Sequence, residues 1–497
     1  MAKKNRSNKA KKIGTPRNTI TPLEKADIDV RKNPMSASAW RNLGVLQTRM
    51  RSLPDAINSF EHADCLKSED KDTKAWLGYA HTLAGDKASA RDLLKLVLSD
   101  DPTHLRALIG LGALFSDSGK QNDALEILER AEAIRPDYVE IKEYKAEAFM
   151  RLARYTEALD EYHKILSLDP NNLNAWNGVG TVYRDLGDYK NSVYYYEKAI
   201  ELAGRSTVPF SNFLTAAHYS PDWTGAQLVN LAQEWQARYG PEHPPPRPVP
   251  NDRSPNRKLR IGMFSEGFRL HPVGNMIVEA IERLHPQEVE LYFYALSNTE
   301  DDLNRRFKKT AAKWQSVQSV PSEPFAQYVR ADEIDILIDL AGHNSGLRSY
   351  SVALQPAPLL VKWVGGLIGT TGIQAMDYLL SDSVETPIAE EVDEQYVEKL
   401  VRLPDDYIVY RIPHYAPPVS GLPAEKNGFI TLGCFNNATK LNDVVLKEWA
   451  KIMHGLPDSR LFLKYKSYTN NELCERIYTT LEAEGIARER VLLEGPA

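Results

Sequence analysis

The stretches NLGVLQTRMRSLPDAINSF (Asn42–Phe60), WLGYAHTLAGDKASARDLL (Trp76–Leu94) and GLGALFSDSGKQNDALEIL (Gly110–Leu128) decide the fold of the amino-terminal part of this chain. They are one unit written at a spacing of 34 residues. Small residues recur at that interval at Gly44, Gly78, Gly112, Ala146 and Gly180, and again at Ala56, Ala90, Ala124, Ala158 and Ser192. Phe60, Leu94, Leu128, Tyr162 and Tyr196 supply one bulky residue to each unit. A period of this length marks a helical solenoid, in which each unit buries its apolar face against the next. The small residues fall where paired helices cross most closely, and a larger side chain there would force the helices apart. Pro102, Pro136 and Pro170 keep the same interval. Because proline is tolerated in a first helical turn and not in an interior, they are expected to open successive units.

The pattern resembles the tetratricopeptide repeat, which implies two antiparallel helices per unit and five units over residues 33–204. Outward from the array, residues 1–32 read as a basic tail without regular structure, since Lys3, Lys4, Arg6, Lys9, Lys11, Lys12 and Arg17 are accompanied by no acid up to Asn18. No apolar run follows them to make a signal peptide. Residues 205–257 read as a cap and a linker. Leu228, Leu231, Ala232 and Trp235 are spaced to close the last open face, and PEHPPPRPVPNDRSPNR (Pro241–Arg257) is too rich in proline for regular structure.

Beyond the linker the period changes. Lys258–Phe264, Val289–Leu296, Ile334–Leu340 and Leu359–Val364 are short β-branched or aromatic runs separated by helical or turn-rich segments, as in a parallel sheet covered on both faces. Residues 258–412 are therefore expected to form a first Rossmann-like lobe, 413–427 a second linker, and 428–497 a partial second lobe of three strands and two helices. The fold class expected overall is an α solenoid followed by α/β, with two Rossmann-like lobes of which the second is incomplete, leaving an apolar edge and face uncovered.

Composition narrows the class. A net charge of −6 argues against nucleic-acid binding by the whole chain, and no run approaches the roughly 18 apolar residues of a membrane span. Cys65, Cys434 and Cys474 fit neither a disulfide framework nor a metal pattern, which points to a reducing, cytoplasmic compartment.

Two Rossmann-like lobes behind a cleft suit transfer of a sugar from a nucleotide donor. His271, in the turn Leu270–Gly274 after the first strand, would project into the crevice, where an imidazole contacts substrate or handles a proton. The loop WVGGLIGTTG (Trp363–Gly372) would let backbone amides and hydroxyls approach a ligand, with Gly369, Thr370 and Thr371 as donor-side candidates. Lys440, between the second lobe's first strand and first helix, offers a cation beside free amides, a setting for a diphosphate. There is neither a GxGxxG after the first strand nor a GxxxxGK[ST] anywhere.

From Leu259 onward the chain resembles the O-linked N-acetylglucosamine transferases, and fusion to tetratricopeptide repeats resembles their layout. The resemblance rests on LRIGMFSEGFRLHPVG (Leu259–Gly274), ILIDLAGHNSGLR (Ile336–Arg348), QPAPLLVKWVGGLIGTTGIQAMDYLLSD (Gln355–Asp382), YVEKLVRLP (Tyr396–Pro404) and CFNNATK (Cys434–Lys440). SNFLTAAHYSPD (Ser211–Asp222) is similar to the family's connector. It implies a two-lobed (GT-B) fold and inverting, metal-independent transfer of N-acetylglucosamine from a uridine diphosphate donor to serine or threonine of proteins. The nucleotide sugar is then a co-substrate with no further cofactor, and the solenoid groove selects protein or peptide acceptors.

Carried over, His271 lies at acceptor and sugar, and Lys440 neutralises the leaving diphosphate. Asn437 occupies a uridine-contacting position, Ala497 reaches the base-binding loop, and Asp332 matches an acid proposed to help remove the hydroxyl proton. The family's WLGYPGTTG is here WVGGLIGTTG, without the tyrosine and proline and one residue longer. The sequence given ends at Gly495-Pro496-Ala497, ahead of groups that hold much of the donor in the family, so weak binding of uridine diphosphate is expected of it. Two other readings stay open: a protein-binding scaffold with an incomplete catalytic half, and the related branch that moves fucose from a guanosine diphosphate donor.

Overall fold

The computed structural model describes residues 21–250, 252–344, 348–366, 369–413 and 415–495. The basic residues before position 21 and Ala497 lie outside them. The chain divides into two compact units, residues 1–152 and 153–497.

The first unit holds the helices Pro22–Lys32, Ala37–Arg49, Leu53–Leu66, Lys71–Ala84, Lys87–Asp100, Leu105–Asp117, Gln121–Ile134 and Val139–Arg151. The expected tail over 1–32 is thus corrected at its end. Thr21 caps Pro22–Lys32 by accepting from the Glu24 amide, while Glu24 returns a bond to the Thr21 backbone, a capping box that fixes the start of a helix. The glycine ladder does what its spacing requires. A Cβ on Gly44 would stand 2.7 Å from the Phe60 ring, and one on Gly78 or Gly112 would stand 2.8 Å from Leu94 or Leu128. The prolines act differently from expectation. Pro102 and Pro136 lie in turns, ahead of helices that begin at Leu105 and Val139. They act on the residue before them: Asp101 and Arg135 are held at ψ 89° and 82°, outside the α region, so the preceding helix stops there.

The second unit begins with Tyr155–Leu168, Leu173–Leu186 and Tyr189–Leu202, in which Gly180 repeats the ladder against Tyr196 at 2.8 Å. The expected cap is two helices, Val208–Tyr219 and Gly225–Tyr239, the second opened by a Thr224/Gln227 capping box. The proline-rich segment that follows is extended but pinned. Arg247 donates to Asp377 Oδ2 at 2.6 Å, to Gln355 Oε1 at 2.9 Å and to the Pro358 and Ala375 carbonyls.

Seven strands then form one parallel sheet: β1 (Leu259–Ser265), β2 (Val289–Ala295), β3 (Lys313–Ser316), β4 (Ile336–Asp339), β5 (Leu359–Trp363), β6 (Tyr378–Asp382) and β7 (Lys399–Leu403), in the order β3-β2-β1-β4-β5-β6-β7. Alternation along β1 and β2 builds two cores. Phe264 and Tyr294 face Phe325, Leu337 and Met376 together with Phe210, Leu214, Leu231 and Trp235 of the cap helices. Met263 and Phe293 face Phe268, Ile277, Ile281 and Phe307. The helices that end the solenoid are therefore also the layer covering one face of the sheet.

A second parallel sheet, order β10-β9-β8, consists of β8 (Thr431–Cys434), β9 (Arg460–Lys464) and β10 (Val491–Glu494), with helices Asp443–Gly455 and Asn471–Ala483 between them. Ile430 and Phe435, at the two ends of the edge strand β8, are half exposed or more.

Candidate active site

In the larger sheet the strand order reverses between β1 and β4, and such a switch point opens a crevice outside the carboxyl ends of the strands. Three loops meet there. The first, after β1, folds tightly around two glycines: a Cβ on Gly274 would stand 2.4 Å from the Arg269 carbonyl oxygen and 2.5 Å from that of Gly267. This turn delivers His271 to the start of the helix Pro272–Ile281, where its Nδ1 accepts from the Val273 amide at 3.3 Å. With Nδ1 used as acceptor, the neutral ring carries its proton on Nε2. Burial, with Arg269 nearby, lowers the pKa of His271 and favours that neutral form.

The second and third loops, after β4 and β5, are interlocked. A Cβ on Gly365 would stand 1.9 Å from the Leu340 carbonyl oxygen and 3.4 Å from Val273, so only glycine allows the β5 loop to lie against both neighbours. Farther along, Gly369 faces His218 Nε2, 2.7 Å from its own Cβ position, and His343 Nε2 donates to the Thr371 carbonyl at 2.6 Å.

Thr370 and Thr371 are not available as donor-side hydroxyls. Thr370 Oγ1 donates to Glu398 Oε2 at 2.7 Å, Thr371 Oγ1 donates to Glu398 Oε1, and the Thr371 amide donates to the same oxygen at 2.8 Å. All three residues are buried. Glu398 is a rivet that holds the loop on the sheet, and the sequence contained it without marking its role. Asp332 is likewise corrected. It ends the helix Ser322–Ala331 ahead of β4, at the amino edge of a parallel sheet whose carboxyl edge carries His271. There it pairs with Lys313 at 2.6 Å and accepts from the Tyr294 hydroxyl at 2.8 Å. With its carboxylate taken up by Lys313 and Tyr294, Asp332 is not among the groups gathered at the loop that carries His271.

At the second sheet, β8 leads into the single turn Ala438–Lys440 and then the helix Asp443–Gly455. Asn437 caps the turn, its Oδ1 accepting from the Thr439 amide and hydroxyl. The solenoid's last helix steadies this loop, because the Tyr189 hydroxyl donates to the Thr439 carbonyl. Asn442 Nδ2 reaches the Tyr219 carbonyl at 3.5 Å, and Arg476 donates to the Leu441 carbonyl at 3.1 Å. Lys440 is exposed and takes part in no ion pair among the described residues. Asn437 and Lys440 thus stand together after β8, His271 and the glycine loop stand together after β1 and β5, and Asp332 stands apart from both. Among the described residues no three His, Cys, Asp or Glu side chains are grouped to hold a metal ion.

The fold and these crevices define a helical-repeat protein joined to parallel sheets of the doubly wound type, whose ligands bind at the carboxyl ends of the strands. Residues 242–415 match the glycosyl transferase family 41 domain, and residues 109–172 and 144–206 match the tetratricopeptide repeat. The chain is similar to the solved structure of a lysine-to-methionine mutant of the Thermobaculum terrenum O-GlcNAc transferase, with a TM-score of 0.70 and 31% identity, over 79% of this chain and 74% of that one. The chain belongs to glycosyl transferase family 41. It is also 33% identical over 284 residues, 56% of its length, to the probable UDP-N-acetylglucosamine–peptide N-acetylglucosaminyltransferase SPINDLY of Arabidopsis thaliana. The probable transferase of the same description named SEC, from the same plant, is 31% identical over 262 residues. These matches span 31% and 26% of the plant relatives, about a third or less of their length.

Proposed function

We propose that the protein transfers N-acetylglucosamine from UDP-N-acetylglucosamine to serine or threonine hydroxyls of protein acceptors, with inversion and without a metal ion. The observation that carries this reading is Lys440, an exposed ammonium with no ion pair among the described residues, on a braced loop after β8, beside the start of the helix Asp443–Gly455. In the reaction the bond from the anomeric carbon to the phosphate oxygen breaks as the acceptor oxygen bonds from the opposite face. Negative charge grows on the leaving diphosphate, so an ammonium carried beside the start of a helix stabilises the transition state more than the ground state. His271, its Nδ1 taken up by the Val273 amide and its neutral form favoured by burial, is the group to donate from Nε2 to a sugar or acceptor oxygen. The acceptor's proton leaves by a route that does not involve Asp332. The solenoid supplies the surface for acceptor proteins, and three free cysteines fit a reducing, cytoplasmic setting. Among the described residues no helix is long and apolar enough to cross a membrane.

Lys440→Ala tests the reading. Because the side chain is exposed, the fold should be untouched while transfer to serine and threonine peptides falls about 100-fold or more. Full activity in the variant would remove Lys440 from the reaction.

A further inference from the structure

Lys362 is a lysine in the middle of a covered sheet. It lies in β5, is 4% exposed, and its Nζ donates to the carbonyls of Val364 and Gly365. The residues it holds are in an uncommon conformation. Val364, Gly365 and Gly366 have φ of 43°, 64° and 78°, three left-handed residues in succession, the first of them β-branched. A valine rarely adopts that region, because its Cβ crowds the following carbonyl. Without a restraint Val364 would relax to negative φ and carry the loop with it. Gly365 lies against Leu340 and Val273, so the restraint acts on the wall of the crevice beside His271.

The direction of the peptide groups gives the restraint a consequence. In a trans peptide the N–H points opposite to the C=O of the preceding residue. With the Val364 and Gly365 carbonyls turned onto Lys362, the N–H groups of Gly365 and Gly366 are turned away from it. The lysine is sealed by buried polar neighbours. Asp339 is its largest electrostatic support, with one oxygen accepting from the Ala341 and Gly342 amides and the other without a partner among the described residues. Glu398 and Glu385 add smaller support.

We propose that Lys362 is a positioning residue for transfer: it clamps Val364–Gly366 in a left-handed turn and so fixes the crevice wall, with two amide N–H groups presented to substrate oxygen. The proposal rests on the transferase reading only for its effect on rate; the clamp itself is a property of the fold.

Lys362→Met keeps the stem and removes the donor, and Val364→Gly removes the side chain that resists a left-handed φ. Lys362→Met is expected to melt cooperatively, to shift the backbone resonances of Val364 to those of negative φ, and to lose about 100-fold in kcat/KM through the displaced wall. Adding Val364→Gly should restore most of that activity, because glycine holds the turn unaided. Should Lys362→Met fail to fold, Lys362→Gln with and without Val364→Gly reads the same rescue. An unchanged φ at Val364, or a double variant no better than the single one, would overturn the clamp. Absence of transfer by the unaltered protein would instead overturn the transferase reading, and the Val364 resonances would still decide on the clamp.

Discussion

Glu279 lies in the helix that His271 caps and is held by three guanidinium groups. Its carboxylate accepts from Arg283 at 2.8 Å and Arg306 at 2.6 Å, with Arg411 at 3.7 Å, and Arg306 also binds Glu282. The bonds to Arg283 and Arg306 hold its pKa down to about 2 from an ordinary 4.5. A carboxylate whose folded pKa is depressed stabilises fully above the unfolded value and loses that contribution as pH falls through the folded one. Glu279→Gln should therefore cost about 1–3 kcal/mol at neutral pH. In urea unfolding at a series of pH values, the gap between wild type and variant should close between 4.5 and about 2. A gap that does not change with pH would mean the glutamate acts by shape alone. At this scale the sequence was legible where sterics rule, as at Gly78 and Gly180, because a missing Cβ leaves one periodic mark. It was not legible where partners are distant in sequence. Nothing local separates Thr371 bonded to Glu398 from Thr371 free for a ligand, and an acid matched by position, Asp332 at a helix end, had its partner Lys313 at the start of β3.

Helices and strands differ in how strongly they announce themselves. The solenoid pairs are dictated by close crossings, and Gly112→Val or Gly180→Val would drive a β-branched side chain into Leu128 or Tyr196, each 2.8 Å from the Cβ position. Overpacking of that kind costs about 1–3 kcal/mol, so each variant should melt several degrees lower; unchanged melting would deny the close crossing. Thr224→Ala, which removes the cap of Gly225–Tyr239, should cost about 1 kcal/mol in the same measurement. The strands β1, β2, β4 and β5 were readable as apolar runs because both their faces are covered. Lys313–Ser316 was missed because KWQS is a short, polar edge strand, and Tyr378–Asp382 and Lys399–Leu403 because their apolar content is confined to two or three positions. The prolines were readable as punctuation, but their effect falls on the residue before them rather than on the helix after.

At the scale of the whole molecule, the proline-rich segment looks like a boundary in sequence and is a pinned strap in structure. Phe210, Leu231 and Trp235 before it share one core with Phe264, Tyr294 and Met376 after it. Composition reveals flexibility of a segment when isolated; it cannot show that Arg247 will find Asp377, 130 residues away. A chain starting at residue 258 should therefore expose that sheet face and aggregate, whereas one starting at 153 should remain monodisperse and unfold cooperatively, as gel filtration and calorimetry would report. A well-behaved chain starting at 258 would show the cap helices to be dispensable. The account as a whole turns on a donor site built around Lys440. The most direct measurement is mass spectrometry of serine- and threonine-containing peptides after incubation with UDP-N-acetylglucosamine at millimolar concentration, with GDP-fucose as control, for the protein and its Lys440→Ala variant. The account predicts addition of one N-acetylhexosamine from the first donor only, abolished by the substitution. No addition, addition from GDP-fucose, or addition indifferent to Lys440 would contradict it.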